Sequence, residues 1–110
     1  SYLGLAQGAL KKYVLEKAEA LTLTSIKFNP QPASYVFLGR IQLALGKLNE
    51  AQQSLNLATQ LGMARRHVLP YKAEVAFGLH NYTDCQRYLE ELALQPKGSE
   101  LRHLQEYWHE

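Results

Sequence analysis

Apolar residues along this chain recur every three or four positions, and that spacing leaves room for little but helices. Leu38, Ile41, Leu45 and Leu48 follow it, as do Leu55, Ala58 and Leu61, and Leu101, Leu104 and Trp108. At about 100° per residue such spacing gathers side chains on one helix face, whereas a half-buried strand needs strict alternation, which this sequence does not sustain. The breaks are equally legible. Asn29-Pro30-Gln31-Pro32 cannot lie inside a helix, because each proline lacks an amide hydrogen and pushes the residue before it toward extended geometry. Gly46 ends one helix and Asn49 caps the next, with Gln52 as reciprocal partner; Thr83 and Gln86 form the same pair, Gly62 closes a helix, and Ser99 opens the last one after Pro96-Lys97-Gly98.

This punctuation predicts seven helices, over 2–12, 15–28, 33–45, 49–61, 64–79, 83–94 and 99–109, and an all-α fold. Helices joined by turns of a few residues pack as antiparallel neighbours. Pro70 is a local conflict: inside a helix it costs about 3 kcal/mol, so the fifth helix either bends there or begins there.

The remaining sequence properties narrow the function. At 110 residues with 46% apolar and 20% charged residues, the chain suits one domain of ordinary size. No apolar run approaches the ~20 residues that cross a bilayer. A net charge of +2 is too small for a nucleic-acid surface, and the adjacent basic pairs Lys11-Lys12 and Arg65-Arg66 are not interleaved with aromatics. The charge is graded: residues 1–45 carry five Lys/Arg against two acids, residues 46–80 four against two, and residues 81–110 three against six. Such a gradient favours a head-to-tail contact between copies, which adds self-association to the expected partners. One cysteine cannot form an internal disulfide or a multi-cysteine metal site.

An internal period organises the helices. Tyr35-x2-Leu38-Gly39 is followed by Gly46 and then by Glu50-Ala51-x3-Leu55-x2-Ala58. Stepping back 33 residues from Ala51 reaches Ala18, with Leu5-Ala6 ahead and Pro30 behind; stepping forward 34 reaches Cys85, with Tyr82, Leu89, Leu92 and Pro96 around it. The pattern resembles the tetratricopeptide repeat, a two-helix unit of about 34 residues with Leu-Gly in its first helix and Ala-x3-aromatic in its second. Gln42 stands where the family has Tyr, Leu55 where it prefers an aromatic, and Lys72-Ala73 where it has Leu-Gly. The resemblance implies one domain made of three repeats (1–30, 31–63 and 64–97) and a capping helix over 99–109, stacked as a right-handed superhelix. Because the first repeat opens inside its helix at Ser1, the chain is expected to be a piece of a longer protein.

Family members act as adaptors, so the resemblance implies a protein-interaction module whose concave groove takes a peptide or amphipathic helix of a partner protein. Carried over by position, the groove comprises Leu3, Gln7, Leu10 and Lys11 from the first repeat, Val36, Arg40, Leu43 and Ala44 from the second, and His67, Glu74 and Phe77 from the third. That surface is mostly apolar with isolated cations, which suits an amphipathic helix or a hydrophobic peptide bearing an occasional acid. Leu3, Gln7 and Phe37 occupy positions where the family's clamp for chaperone C-termini has Lys and Asn, which argues against such a ligand. The alternative is a regulatory or oligomerising segment of a larger bacterial protein, such as a response regulator or an envelope-assembly factor.

Signs of catalysis are lacking in the sequence. It holds no phosphate-binding glycine loop, nucleophile elbow or His-Glu-x-x-His zinc motif. Cys85 falls at a small core position and reads as a buried, inert thiol. His103 and His109 lie about 240° apart around their helix and cannot grip one metal. Glu90-Glu91 and Glu100/Glu106 read as solvated helix faces, and no cofactor is implied. The expectation is a binding protein and not an enzyme.

Overall fold

The computed structural model describes residues 2–94, with side chains from residue 8 onward. Those residues form five helices: α1 (Tyr2–Phe28), α2 (Pro32–Ala44), α3 (Leu48–Gln60), α4 (Arg65–Gly78) and α5 (Tyr82–Leu94). No strand occurs among them. The all-α expectation holds, with one correction to the helix count. Residues 2–12 and 15–28 are a single 27-residue helix and not a hairpin. The physical reason is local: Tyr13-Val14 contains no Gly, Pro or capping side chain to stop the backbone ladder. The seventh expected helix, over 99–109, lies outside the described residues.

Each later turn is built the same way. After α2 the Gly46 amide donates to the Leu43 carbonyl (3.1 Å) and the Lys47 amide to the Gln42 carbonyl (2.8 Å). After α3, Gly62 donates to Thr59 (3.0 Å) and Met63 to Ala58 (2.9 Å); after α4, His80 donates to Phe77 (3.0 Å) and Asn81 to Ala76 (2.8 Å). These paired bonds close the helix end onto itself and require a left-handed residue in the middle. Gly46 has φ 80° and Gly62 φ 109°; His80 takes φ 64° in the third turn. Its ring is held there by Tyr82, whose hydroxyl lies 2.9 Å from Nδ1.

These short turns also correct the expected caps. α3 starts at Leu48, one residue before Asn49, and its N-cap position is taken by Lys47, whose side chain has no acceptor to offer the helix amides. α5 likewise starts at Tyr82, and Gln86 donates to Glu90 (3.1 Å), its neighbour one turn on. Pro32 opens α2, where a missing amide costs nothing. Pro70 sits inside α4, which runs unbroken from Arg65 to Gly78.

Helices adjacent in sequence pack side by side, and α2 also meets α4. Small residues set the closeness of these contacts. A Cβ on Gly39 would lie 3.0 Å from Cγ and Cδ2 of Leu55, which is fully buried. Ala51, Leu55 and Ala58 of α3 and Val68 and Val75 of α4 form one buried cluster, against which Tyr35, Val36, Leu43, Leu48, Met63, Tyr71 and Leu79 pack. This seam joins hairpin α2–α3 to hairpin α4–α5.

Candidate partner-binding surface

The residues expected to form one groove separate into several settings. Leu3 and Gln7 belong to α1, and their side chains lie outside the described set. Leu10 and Lys11 are exposed on α1. Val36 and Leu43 turn toward the buried cluster, so their methyl groups serve the seam between hairpins. Arg40 is exposed, yet its guanidinium lies 5.2 Å from the centre of the Tyr71 ring, which links α2 to α4 through a cation–π contact. His67 is exposed and accepts from Arg66 Nε at 3.4 Å. Ala44, Glu74 and Phe77 are exposed.

Two hollows bring some of them together. One, of about 360 Å³, is lined by Gly8, Lys11, Lys12 and Leu15 of α1 and by Ala44 and Leu45 at the end of α2. It joins Lys11 and Ala44, expected from two different repeats, across one apolar floor with two cations at its rim. The other, of about 390 Å³, lies between α4 and α5 and is lined by Pro70, Ala73, Glu74, Phe77, Cys85 and Leu89. Its walls are almost entirely apolar. Cys85 is therefore half-buried at the edge of a hollow and not sealed in a core, because the described residues put nothing over it.

A polar chain fixes α1 against hairpin α2–α3. Ser54 Oγ donates to Gln42 Oε1 at 2.6 Å, Gln42 Nε2 donates to Glu19 Oε2 at 3.4 Å, and Lys47 Nζ donates to Glu19 Oε1 at 2.8 Å. Gln42 and Ser54 are buried, so each needs its partner. The hydrogen bond to Glu19 raises the Lys47 ammonium above its ordinary range. This network gives Gln42 a role at the place where the repeat pattern has an aromatic. The signal available in the sequence was the coincidence of Glu19, Gln42 and Lys47, three polar residues at otherwise inward or turn positions.

A second ion pair braces α4 against α5. The Arg65 guanidinium grips Glu91 with Nε on one oxygen and Nη2 on the other, the latter at 2.9 Å. That grip holds the Glu91 carboxyl below the usual carboxylate range. Burial, with help from the Arg65 charge, lowers Lys72, whose ammonium lies 6.0 Å from the Tyr88 ring centre.

Sequence reasoning missed Lys12 and Leu15 in the first hollow, and Pro70, Ala73, Cys85 and Leu89 in the second. Among the described residues no group of three or more His, Cys, Asp or Glu is placed to hold a metal ion, and no helix is long and apolar enough to cross a membrane. Comparison with protein-family models, with curated proteins and with solved structures finds no match.

Proposed function

We propose that this chain is a tetratricopeptide-like scaffold of stacked helical hairpins that acts by binding, taking an apolar or amphipathic segment of a partner protein that carries acidic residues. The observation that carries this reading is the hollow between α1 and the end of α2, where Leu15, Ala44 and Leu45 provide an apolar floor and Lys11 and Lys12 flank it. A partner side chain would bury its apolar surface on that floor while a nearby carboxylate meets the lysines; solvent-exposed lysines steer and select such a partner more than they tighten the complex. The stacked-hairpin reading draws its support from the identical turns at Gly46 and His80, 34 positions apart, and from the seam between the two hairpins.

The test is a peptide-display selection on the immobilised full chain. The reading expects enrichment of sequences combining apolar residues with Asp or Glu, salt-sensitive binding, and loss of binding in Lys11→Glu/Lys12→Glu, whose side chains are exposed and not needed by the fold. Enriched peptides whose affinity is indifferent to that charge reversal would place the binding surface elsewhere.

The exposed apolar residues along α1 favour a second reading, self-association. Val14, Leu21 and Phe28 recur every seven residues there, Leu21 is 71% exposed and Phe28 82%. Sedimentation equilibrium would show a concentration-dependent oligomer that Leu21→Glu/Phe28→Glu dissolves; a monomer at all concentrations would remove this reading.

A further inference from the structure

α1 carries two stripes of side chains, and α2 covers one of them. Leu15, Ala18, Glu19, Thr22 and Ile26 are buried or half-buried where α1 lies beside α2. About 100° round the helix runs a second stripe, Leu10, Val14, Lys17, Leu21, Thr24 and Phe28, spaced alternately by four and three residues. Each of these six is exposed, and in the sequence the same spacing runs back through Gln7 to Leu3. A seven-residue repeat of this kind is how two helices pack along a common seam.

The stripe is large enough for a stable contact. Phe37 of α2 extends it, facing Leu21 across a hollow of about 340 Å³. Leu10, Val14, Leu21, Phe28 and Phe37 are 50–82% exposed. At roughly 150–200 Å² per side chain they offer about 500–600 Å² of apolar surface per copy. A standard interface buries about 800 Å² per partner, and the polar flanks supply the remainder. The stripe is also complementary to itself. Set antiparallel about a two-fold axis between residues 15 and 16, close to the middle of α1, Leu10 of one copy comes level with Leu21 of the other, and Val14 with Lys17. A parallel pair would instead set Lys17 on Lys17. The Lys17 ammonium is drawn toward the Tyr13 ring, 5.7 Å from its centre, which leaves its methylene stem to lie along the stripe.

We propose that two copies of this chain pair antiparallel through α1, with Leu10 of each set against Leu21 and Phe37 of the other. The inference rests on the self-association reading above and fixes its geometry: one surface used twice about a two-fold axis. Lys17, near that axis, is the polar residue that selects the register at a cost in stability. Leu10, expected in a partner groove, serves contact between copies. Lys11 and Lys12 lie off the stripe, where α1 meets the end of α2, so that hollow is left to the partner protein.

Cross-linking reads this geometry directly. In the full chain carrying Cys85→Ser, Leu10→Cys and Leu21→Cys each alter one exposed position. Mixed under mild oxidation, the two variants should give several-fold more disulfide-linked dimer than either gives alone. Level positions come within disulfide reach, whereas residue 10 on residue 10, or 21 on 21, would stand about 16 Å apart along the helices. Independently, Lys17→Leu should tighten the dimer at least ten-fold in sedimentation equilibrium, and the amides of residues 8–14 should exchange slowly in concentrated protein and fast on dilution. A variant that cross-links as well alone as in the mixture shows a parallel pair and overturns the proposal. A dimer that neither cross-links in the mixture nor responds to Lys17→Leu also overturns it, while self-association through another surface stands. A monomer at every concentration removes both.

Discussion

Hairpins α2–α3 and α4–α5 share their turn geometry and the spacing of their inward residues, yet they use these residues differently. In the first, Ala51 and Leu55 are sealed beneath α4; in the second, the corresponding Cys85 is half-buried and Leu89 is 51% exposed among the described residues. The same position can therefore be core or surface according to what the next element covers, because one helical hairpin cannot bury its own apolar face. The glycine pattern follows. Gly39 stands against the fully buried Leu55, whereas its counterpart Ala73 lines a hollow that it shares with the half-exposed Leu89.

The contrast is tested most strongly at the two leucines. Leu55→Ala opens a cavity in the seam and should cost about 2–5 kcal/mol in chemical denaturation. The same change at Leu89 should cost less than about 2 kcal/mol, in keeping with its edge position. Equal losses would erase the distinction between the hairpins.

A smaller effect is expected at Gly39. Alanine gains about 1 kcal/mol of helix propensity, but its Cβ would stand 3.0 Å from two atoms of the immobile Leu55. Overpacking of about 1–3 kcal/mol outweighs the gain, so Gly39→Ala should lower the unfolding midpoint. A rise would show that Leu55 can yield.

His80→Gly goes the other way. Glycine relieves the left-handed backbone by about 1 kcal/mol while losing the ring contact with Tyr82, for a net gain of roughly 0.5 kcal/mol in thermal unfolding. If stability falls, the contact with Tyr82 outweighs the backbone strain.

The least effect belongs to the Arg65–Glu91 brace, which has no counterpart in the first hairpin. Because folding depresses the Glu91 pKa, its contribution is present above the unfolded carboxylate value and is lost as pH falls through the folded value, so it acts on the acid limb below about pH 4. Glu91→Gln should flatten that limb by less than about 1 kcal/mol, since both side chains are partly exposed. An unchanged pH profile would show that the brace adds nothing.

Much of this architecture was legible in the sequence because it depends on local chemistry. Gly46, Gly62 and the Pro30/Pro32 pair fix where helices stop, and the spacing around Leu38, Leu55 and Ala58 fixes which faces meet. The continuity of α1 was not legible from the repeat pattern, which supplies the expectation of a turn at residues 13–14 but no residue that would make one. The caps at Asn49 and Thr83 failed because α3 and α5 begin at Leu48 and Tyr82, which places both residues inside the first turn and not ahead of it. The candidate surface was read less well. Position within a repeat marks Val36 and Leu43 as groove residues, but only the placement of α4 turns them into seam. Cys85 and Leu89 escaped notice because their sequence context, taken alone, matches that of the buried Ala51 and Leu55.

The central claim is that two equivalent hairpins are joined into one folding unit by the seam between α3 and α4. Native-state hydrogen exchange on the full chain, dilute enough to be monomeric, tests it most directly. The account predicts that amides in α3 and α4 exchange together, only through global unfolding, while those of α1 ahead of Leu15 exchange far faster. Separate exchange rates for α2–α3 and α4–α5, or an α1 as protected before Leu15 as α3 is, would contradict it.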